Sequence, residues 1–199
     1  MLQIFHVPRT RSLRVVWLAE EMRIPYELKP ETFGQQSDDF VQANPVGSLP
    51  AIVDGDVAMG ESIAIMHYLT ERYGPTPLAR RLGEPRYCQY LQYLVAGEGS
   101  MAAFLNPILA TQFRAPEDQR QNVTVDLAKA IFLRRVNALE PLLAKHDYLA
   151  GDFTAADISV GFALGMGTAL GLEAQYPATA RAYLERLLAR PAYQRAASV

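Results

Sequence analysis

Two residue pairs carry the chemistry that this sequence offers most clearly: Leu49-Pro50 and Glu61-Ser62. Proline cannot donate to a β-ladder, so in a short apolar strand it marks an edge, a start or a sharp bend. If the Leu49-Pro50 bond is cis, the chain folds back there and the N–H and C=O of Leu49 turn outward. An extended peptide could pair with them as one more strand would. Ser62 opens an amphipathic helix, whose first amides and positive dipole end attract a carboxylate. Glu61 beside it can neutralise an ammonium. Together these groups would hold a backbone-like segment next to a group bearing both an amine and a carboxylate. A γ-glutamyl peptide has that shape.

Taken singly, each feature has a plainer reading as strand, hairpin and helix, with Ser62 an ordinary N-cap and Glu61 solvated. The elements that must position them follow in close order. Asn44-Pro45 and Gly47 form a turn, and a short apolar strand follows with Pro50 as its second residue. Asp54-Gly55 signals a two-residue hairpin. Ile63, Met66 and Leu69 then repeat at helical spacing, ending at Gly74. Upstream, Leu2 to His6 reads as a buried strand and Val7 to Arg11 as a loop. Leu13, Val16, Trp17 and Glu20 predict a helix from about Ser12, Tyr26 to Lys29 suits a second strand, and Phe33 to Ala43 a loop with a short helix. Strand-helix-strand, then hairpin and helix, is the order of a thioredoxin-like α/β domain over residues 1–76.

Pro75-Thr76-Pro77 leads into a linker, residues 77–83, after which the strand pattern is lost. Residues 84–199 read as an all-helical domain. Tyr87, Tyr90, Leu91 and Leu94 carry one helix to about Leu109, and a second is expected from near Pro116 to about Lys145. Further on, Thr154 can cap a helix, Asp157 can reach back to the cap amide, and Phe153 can staple to Ile158. That spacing makes Asp157 a structural acid. Gly165, Gly167 and Gly171 weaken this helix by propensity, so packing must sustain it. Tyr183, Leu184, Leu187 and Leu188 predict short helices on the same core.

Half of the 199 residues are hydrophobic, enough for a sizeable core, and the net charge of −2 gives no nucleic-acid footprint. The lone cysteine, Cys88, excludes an internal disulfide and a CxxC redox or zinc site. No apolar run reaches membrane-spanning length. His6, His67 and His146 lack ligand spacing, so no metal site is expected. A soluble, cytoplasmic protein is the expectation.

Asn-Pro-x-Gly-x-Leu-Pro, the hairpin and the Glu-Ser helix start together resemble the glutathione-binding half of the cytosolic glutathione transferase family. The capped helix at Thr154 resembles the buried helix of that family's second domain, so the likeness extends over nearly the whole chain. It implies a thioredoxin-like N-terminal domain plus an all-α C-terminal domain. It also implies that the main chain of Leu49 holds the cysteinyl segment of glutathione, with Pro50 setting the geometry. Glu61 and Ser62 would take the γ-glutamyl end. Ser48 would lie toward the glycyl end, and Gln35 would help from the loop.

Glutathione chemistry needs a thiolate, and the family supplies a donor to it in several ways. Some branches use a tyrosine at the end of the first strand, where this chain has Phe5-His6-Val7. Others use a serine four residues before an arginine in the first helix, and counting back from Arg14 gives Thr10. A bacterial branch uses a cysteine just after that position, which here is Arg11. Thr10 is thus the expected sulfur donor, Ser12 a second hydroxyl, and Arg11 a cation able to stabilise the thiolate through charge. Thr10 and Ser12 can also be plain helix caps.

The resemblance implies an enzyme that conjugates the thiolate of glutathione to small apolar electrophiles, with glutathione as co-substrate and no resident cofactor. The electrophile would lie in a cleft between the domains. Tyr93, Met101, Phe104 and Phe113 are candidate wall residues, although their helical spacing equally fits a core. A homodimer is expected, with no nucleic-acid or membrane partner. Alternatives are a glutathione-dependent disulfide reductase or peroxidase, isomerase or dehalogenase on the same scaffold, or a non-catalytic glutathione-binding or regulatory module.

Overall fold

Leu2–His6 forms β1, buried along almost all its length, and it is the strand on which the N-terminal unit is assembled. The computed structural model describes residues 1–199 as two units, one of residues 1–79 with 188–199, the other of residues 80–187. Following β1 come α1 (Ser12–Met22), β2 (Tyr26–Pro30), α2 (Asp38–Ala43), β3 (Ala51–Asp54), β4 (Val57–Gly60) and α3 (Ser62–Arg72). The sheet has the order β2-β1-β3-β4, with β1 parallel to β2 and antiparallel to β3.

Alternation along β1 sends Phe5 to one face and His6 to the other. Phe5 packs on Phe40 of α2 with ring centroids 5.5 Å apart. Leu2 and Ile4, on the His6 side, are wholly buried, as are Val15, Val16 and Leu18 of α1.

Two boundaries differ by a residue from expectation. Pro50 precedes β3 rather than lying within it, because the ladder to β1 starts at Ala51. The hairpin turn is Gly55-Asp56, since Asp54 already pairs with Val57. Gly55 takes the positive φ of 62° that the first turn position requires.

The last helix, α10 (Pro191–Ala197), belongs to the N-terminal unit, which corrects the expected second domain of 84–199. Side chains on α1 explain this. Arg190 holds Glu21 through Nε at 2.6 Å and Nη2 at 2.8 Å, and Tyr193 sets its ring edge-on to Trp17 at 5.0 Å. An Arg–carboxylate fork of this kind fixes orientation as well as proximity.

The other unit is helical throughout: α4 (Tyr87–Ala96), α5 (Ala103–Arg114), α6 (Val123–Asn137), α7 (Glu140–Leu143), α8 (Ala155–Ala169) and α9 (Ala178–Leu188). A π-helical turn, Gly97–Ala102, joins α4 to α5. The helix expected from Pro116 begins later: Pro116 precedes a 3-10 turn, and Asn122 caps α6 by accepting the amides of Thr124 and Val125. Residues 155–164 of α8 are all buried. Gly97 leaves no room for a Cβ against the main chain of Ser159, so glycine there is a condition of the α4–α8 approach. No helix is long and apolar enough to cross a membrane.

Thr154 caps α8 as its spacing implies, and Asp157 is fully buried beneath it. Its carboxylate accepts from Leu149 N at 2.9 Å, Thr154 N at 2.8 Å, Thr154 Oγ1 at 3.1 Å and Tyr183 Oη at 2.8 Å. Burial pushes its pKa up, and those four donors pull it back. Asp157→Ala would strand buried donors and is expected to lower the unfolding free energy by about 3 kcal/mol in urea titrations. Glutathione affinity should not change. An unaltered urea midpoint would contradict this structural role.

Candidate functional site

Asn44 and Gln36 build the loop that delivers Leu49. The buried Asn44 side chain donates through Nδ2 to the Ser48 carbonyl at 2.6 Å, and Gly47 N returns to Asn44 O at 2.9 Å. Gln36, rather than Gln35, reaches this loop, donating through Nε2 to Gly47 O at 2.8 Å. The Leu49-Pro50 bond is cis and Pro50 is buried. Leu49 lies just outside the ladder, and neither its N–H nor its C=O is bonded within the chain. A main chain in that condition, at the head of a strand, can accept an added extended segment.

Eleven residues on from Pro50, Glu61 holds a backbone that side chains avoid, φ 66° and ψ 103°, and projects into solvent. Ser62 follows as the first residue of α3 and is 3 % exposed. Its Oγ accepts from Nη1 of Arg14 at 3.1 Å, and Arg14 is itself wholly buried in α1. The serine's own proton is therefore available to an incoming acceptor, with a buried cation behind it. A strained residue at a helix start fits a binding role.

The loop before α1 contains a second left-handed residue, Arg9, at φ 65°. Thr10 and Arg11 are half-buried, whereas Ser12 is fully enclosed. Thr10 Oγ1 accepts the amide of Ser12 at 3.3 Å and donates to Val7 O at 2.8 Å. It thereby serves the free end of the helix while standing at its mouth. Ser12 Oγ lies 2.8 Å from Thr10 Oγ1 and 2.8 Å from His6 Nδ1. Enclosure removes Ser12 as a direct partner for a sulfur atom, a correction to the expectation that its hydroxyl could replace Thr10.

One unit thus brings together an unpaired main chain at the head of β3, a serine backed by a buried cation at one helix tip and a threonine hydroxyl at another. Residues 1–71 match the glutathione S-transferase N-terminal domain, and residues 86–191 match the C-terminal domain. The chain belongs to the glutathione S-transferase family. It is 33% identical over 202 residues to the probable glutathione S-transferase GSTF2 of Oryza sativa subsp. japonica, covering 94% of this chain and 90% of that protein. Identity to glutathione S-transferase 3 of Schizosaccharomyces pombe is 30% over 179 residues, covering 81% of this chain and 72% of that one. Among solved structures, a glutathione transferase of Methylococcus capsulatus superposes with a TM-score of 0.86 at 26% identity, covering 100% of this chain and 98% of that one. The glutathione transferase URE2P6 of Phanerochaete chrysosporium, in complex with oxidized glutathione, gives 0.84 at 25% identity, covering 98% and 94%.

The remaining expected site residues of this family member scatter. Ser48 and Gln35 are exposed, Gln35 in a turn closed by its amide on Thr32 O at 3.1 Å. Tyr93 and Phe104 are half-buried, and burial raises the Tyr93 pKa. Met101 is 2% exposed and so belongs to the helical core rather than to an open wall, whereas Phe113 is 77% exposed. Cys88 is exposed on α4.

His6, Arg14 and Asn44 acquire roles that the sequence pattern alone did not assign. For Arg14 and Asn44 the available signal was a charged or amide residue inside an apolar run. His6 is 2% exposed. Burial pushes its imidazole below the usual 6.5, and its hydrogen bond to Val199 opposes this. The unfolded chain therefore binds a proton that the folded chain refuses between those two values. This group's contribution to stability is complete above 6.5 and drains as the pH falls below it. Urea titrations between about pH 7.5 and about pH 5.5 should show that loss, and His6→Gln should flatten the slope. Equal slopes with and without the imidazole would contradict the assignment.

Proposed function

We propose that this family member conjugates glutathione to small apolar electrophiles, stabilising the thiolate with the Thr10 hydroxyl. The placement of that hydroxyl, half-buried at the mouth of α1, carries the reading. A free thiol with a pKa near about 8.5 is only a few per cent ionised at neutral pH. Lowering it by about two units takes nearly 3 kcal/mol of preference for the thiolate. A charge-assisted hydrogen bond supplies about 1.5–3 kcal/mol, and a helix N-terminus about 0.5 kcal/mol more. One threonine at a helix start therefore suffices.

In this reading the cysteinyl residue of glutathione pairs with Leu49 across the turn made by Pro50. The γ-glutamyl carboxylate sits on Ser62 and its ammonium on Glu61. Ser48 and Gln35 lie toward the glycyl end, and Arg11 adds positive charge near the sulfur. Tyr93 and Phe104 face the electrophile. The protein works as a cytoplasmic homodimer with glutathione as co-substrate. Support comes from URE2P6, the relative at 25% identity whose structure contains oxidized glutathione. Arg11 stands where a cysteine-based catalyst would carry its thiol, and the lone Cys88 lies on α4 in the other unit. That favours conjugation over mixed-disulfide chemistry.

Thr10→Val should raise the pKa of bound glutathione by about 1–2 units and lower kcat/KM for a nitroaromatic probe by about 10- to 100-fold. Thr10→Ser should stay close to the parent. An unchanged thiol pKa in Thr10→Val would remove Thr10 from the mechanism. Turnover of peroxides or disulfides without conjugation would replace the reaction.

A further inference from the structure

The proton that leaves the glutathione sulfur needs a destination, and a hydrogen-bonded chain leads inward from Thr10 to one. Thr10 Oγ1 lies 2.8 Å from Ser12 Oγ, and Ser12 Oγ lies 2.8 Å from His6 Nδ1. On the far side of the ring, Nε2 faces the main-chain oxygen of Val199 at 3.2 Å. A main-chain oxygen can only accept, so Nε2 carries the ring proton and Nδ1 of the neutral imidazole is an acceptor. The Ser12 hydroxyl then donates to Nδ1 and presents lone pairs to Thr10. Val7 N supports this arrangement by donating to Ser12 Oγ at 3.3 Å.

This orientation creates a conflict when Thr10 turns its hydrogen toward a thiolate. With the Thr10 hydrogen turned from Val7 O, 2.8 Å away, to the sulfur, the two hydroxyl oxygens face each other at 2.8 Å with no proton between them as long as Ser12 donates to His6. Moving one proton along the chain resolves it. We propose that His6 takes up the thiol proton of glutathione through Thr10 and Ser12, and that it is the positioning residue that keeps the Thr10 hydroxyl directed at the thiolate. The proposal rests on the reading of Thr10 as the sulfur's donor.

The step balances. The S–H bond breaks as its proton joins Thr10 Oγ1, the proton that Thr10 held turns from Val7 O and passes to Ser12 Oγ, and the proton that Ser12 held passes to Nδ1. Each hydroxyl ends with one proton, the sulfur keeps the electron pair, and the imidazole becomes imidazolium. Every bond now runs outward: Nδ1–H to Ser12, Ser12 to Thr10, Thr10 to the thiolate. Aligned hydroxyl chains strengthen one another in this way.

The surroundings leave the imidazole free to respond to the thiolate. Burial disfavours the imidazolium beforehand, and Nδ1 holds a lone pair toward Ser12 that can take a proton. No charged side chain is bonded to it. Glu31, beside the end of β2, gives His6 only its main-chain N–H at 2.8 Å, and its carboxylate is held by Ser37. On α1, Arg14 turns to Ser62. Arg190 and Arg195, before and within α10, pair with Glu21 and Glu20.

The test counts protons in the intact protein. Glutathione is bound in buffers of differing ionisation enthalpy, and thiolate formation is read from ultraviolet absorbance in the same samples. S-Methylglutathione, which has no thiol proton, is the reference. The expected result is a thiolate band with well under half a proton per thiolate reaching the buffer. The His6 ring nitrogens should shift to their doubly protonated NMR positions with glutathione and not with the methyl derivative. His6→Gln, whose amide cannot take the proton, should release a whole proton for each thiolate that still forms. A full proton released by the parent protein, with the imidazole still neutral, overturns the relay while leaving Thr10 in place. Absence of a thiolate band in the parent protein removes the Thr10 reading, and the relay with it.

Discussion

A buried guanidinium joins the two helix starts on which this site depends. Arg14, with no exposed surface, extends from the first turns of α1 and donates to Ser62 at the tip of α3 over 3.1 Å. Burying a charge is costly unless its donors are used, so this contact constrains where both helices begin. It fixes Ser62 at the start of α3 and, through α1, the loop that carries Thr10. The same charge lies behind the position where an anionic group is read to bind. Structural and functional demands on Arg14 therefore coincide.

The sheet supplies the third side of the arrangement. Leu49 stands two residues ahead of the ladder, which begins at Ala51, and Asn44 grips the Ser48 carbonyl to hold the loop there. Two non-glycine residues with positive φ, Arg9 and Glu61, stand immediately ahead of Thr10 and Ser62. Strain of this kind persists only where the surrounding packing over-determines it. Here the rigid β1–β3 pairing and the wholly buried α1 face provide that packing.

Much of the fold was legible because its signals are local. The strand at Leu2–His6 and the helix starts at Ser12 and Ser62 fall where the hydrophobic period and turn residues put them. The cap at Thr154 is likewise written in four consecutive positions. What escaped is non-local or depends on a single residue of register. The docking of Leu188–Val199 onto the first unit comes from Arg190 and Tyr193 meeting Glu21 and Trp17, across roughly the whole length of the chain. The π-helical turn has only Gly97 and Gly99 to announce it within an otherwise continuous helical period. The placement of Leu49 ahead of β3, and of Glu61 and Ser62 at the start of α3, was readable from the strand-hairpin-helix order. His6 was not, because alternation marks a strand residue as buried without saying what meets its ring. The enclosure of Ser12 was hidden for the same reason.

The account's central claim is that one domain holds all of glutathione along a strand edge and two helix tips. A crystal structure of the protein with glutathione tests it most directly. The account predicts paired hydrogen bonds between the cysteinyl residue and the Leu49 main chain, the γ-glutamyl carboxylate on Ser62, and the sulfur within hydrogen-bonding distance of Thr10 Oγ1. Glutathione bound away from Leu49, or with its sulfur turned from the start of α1, would contradict it.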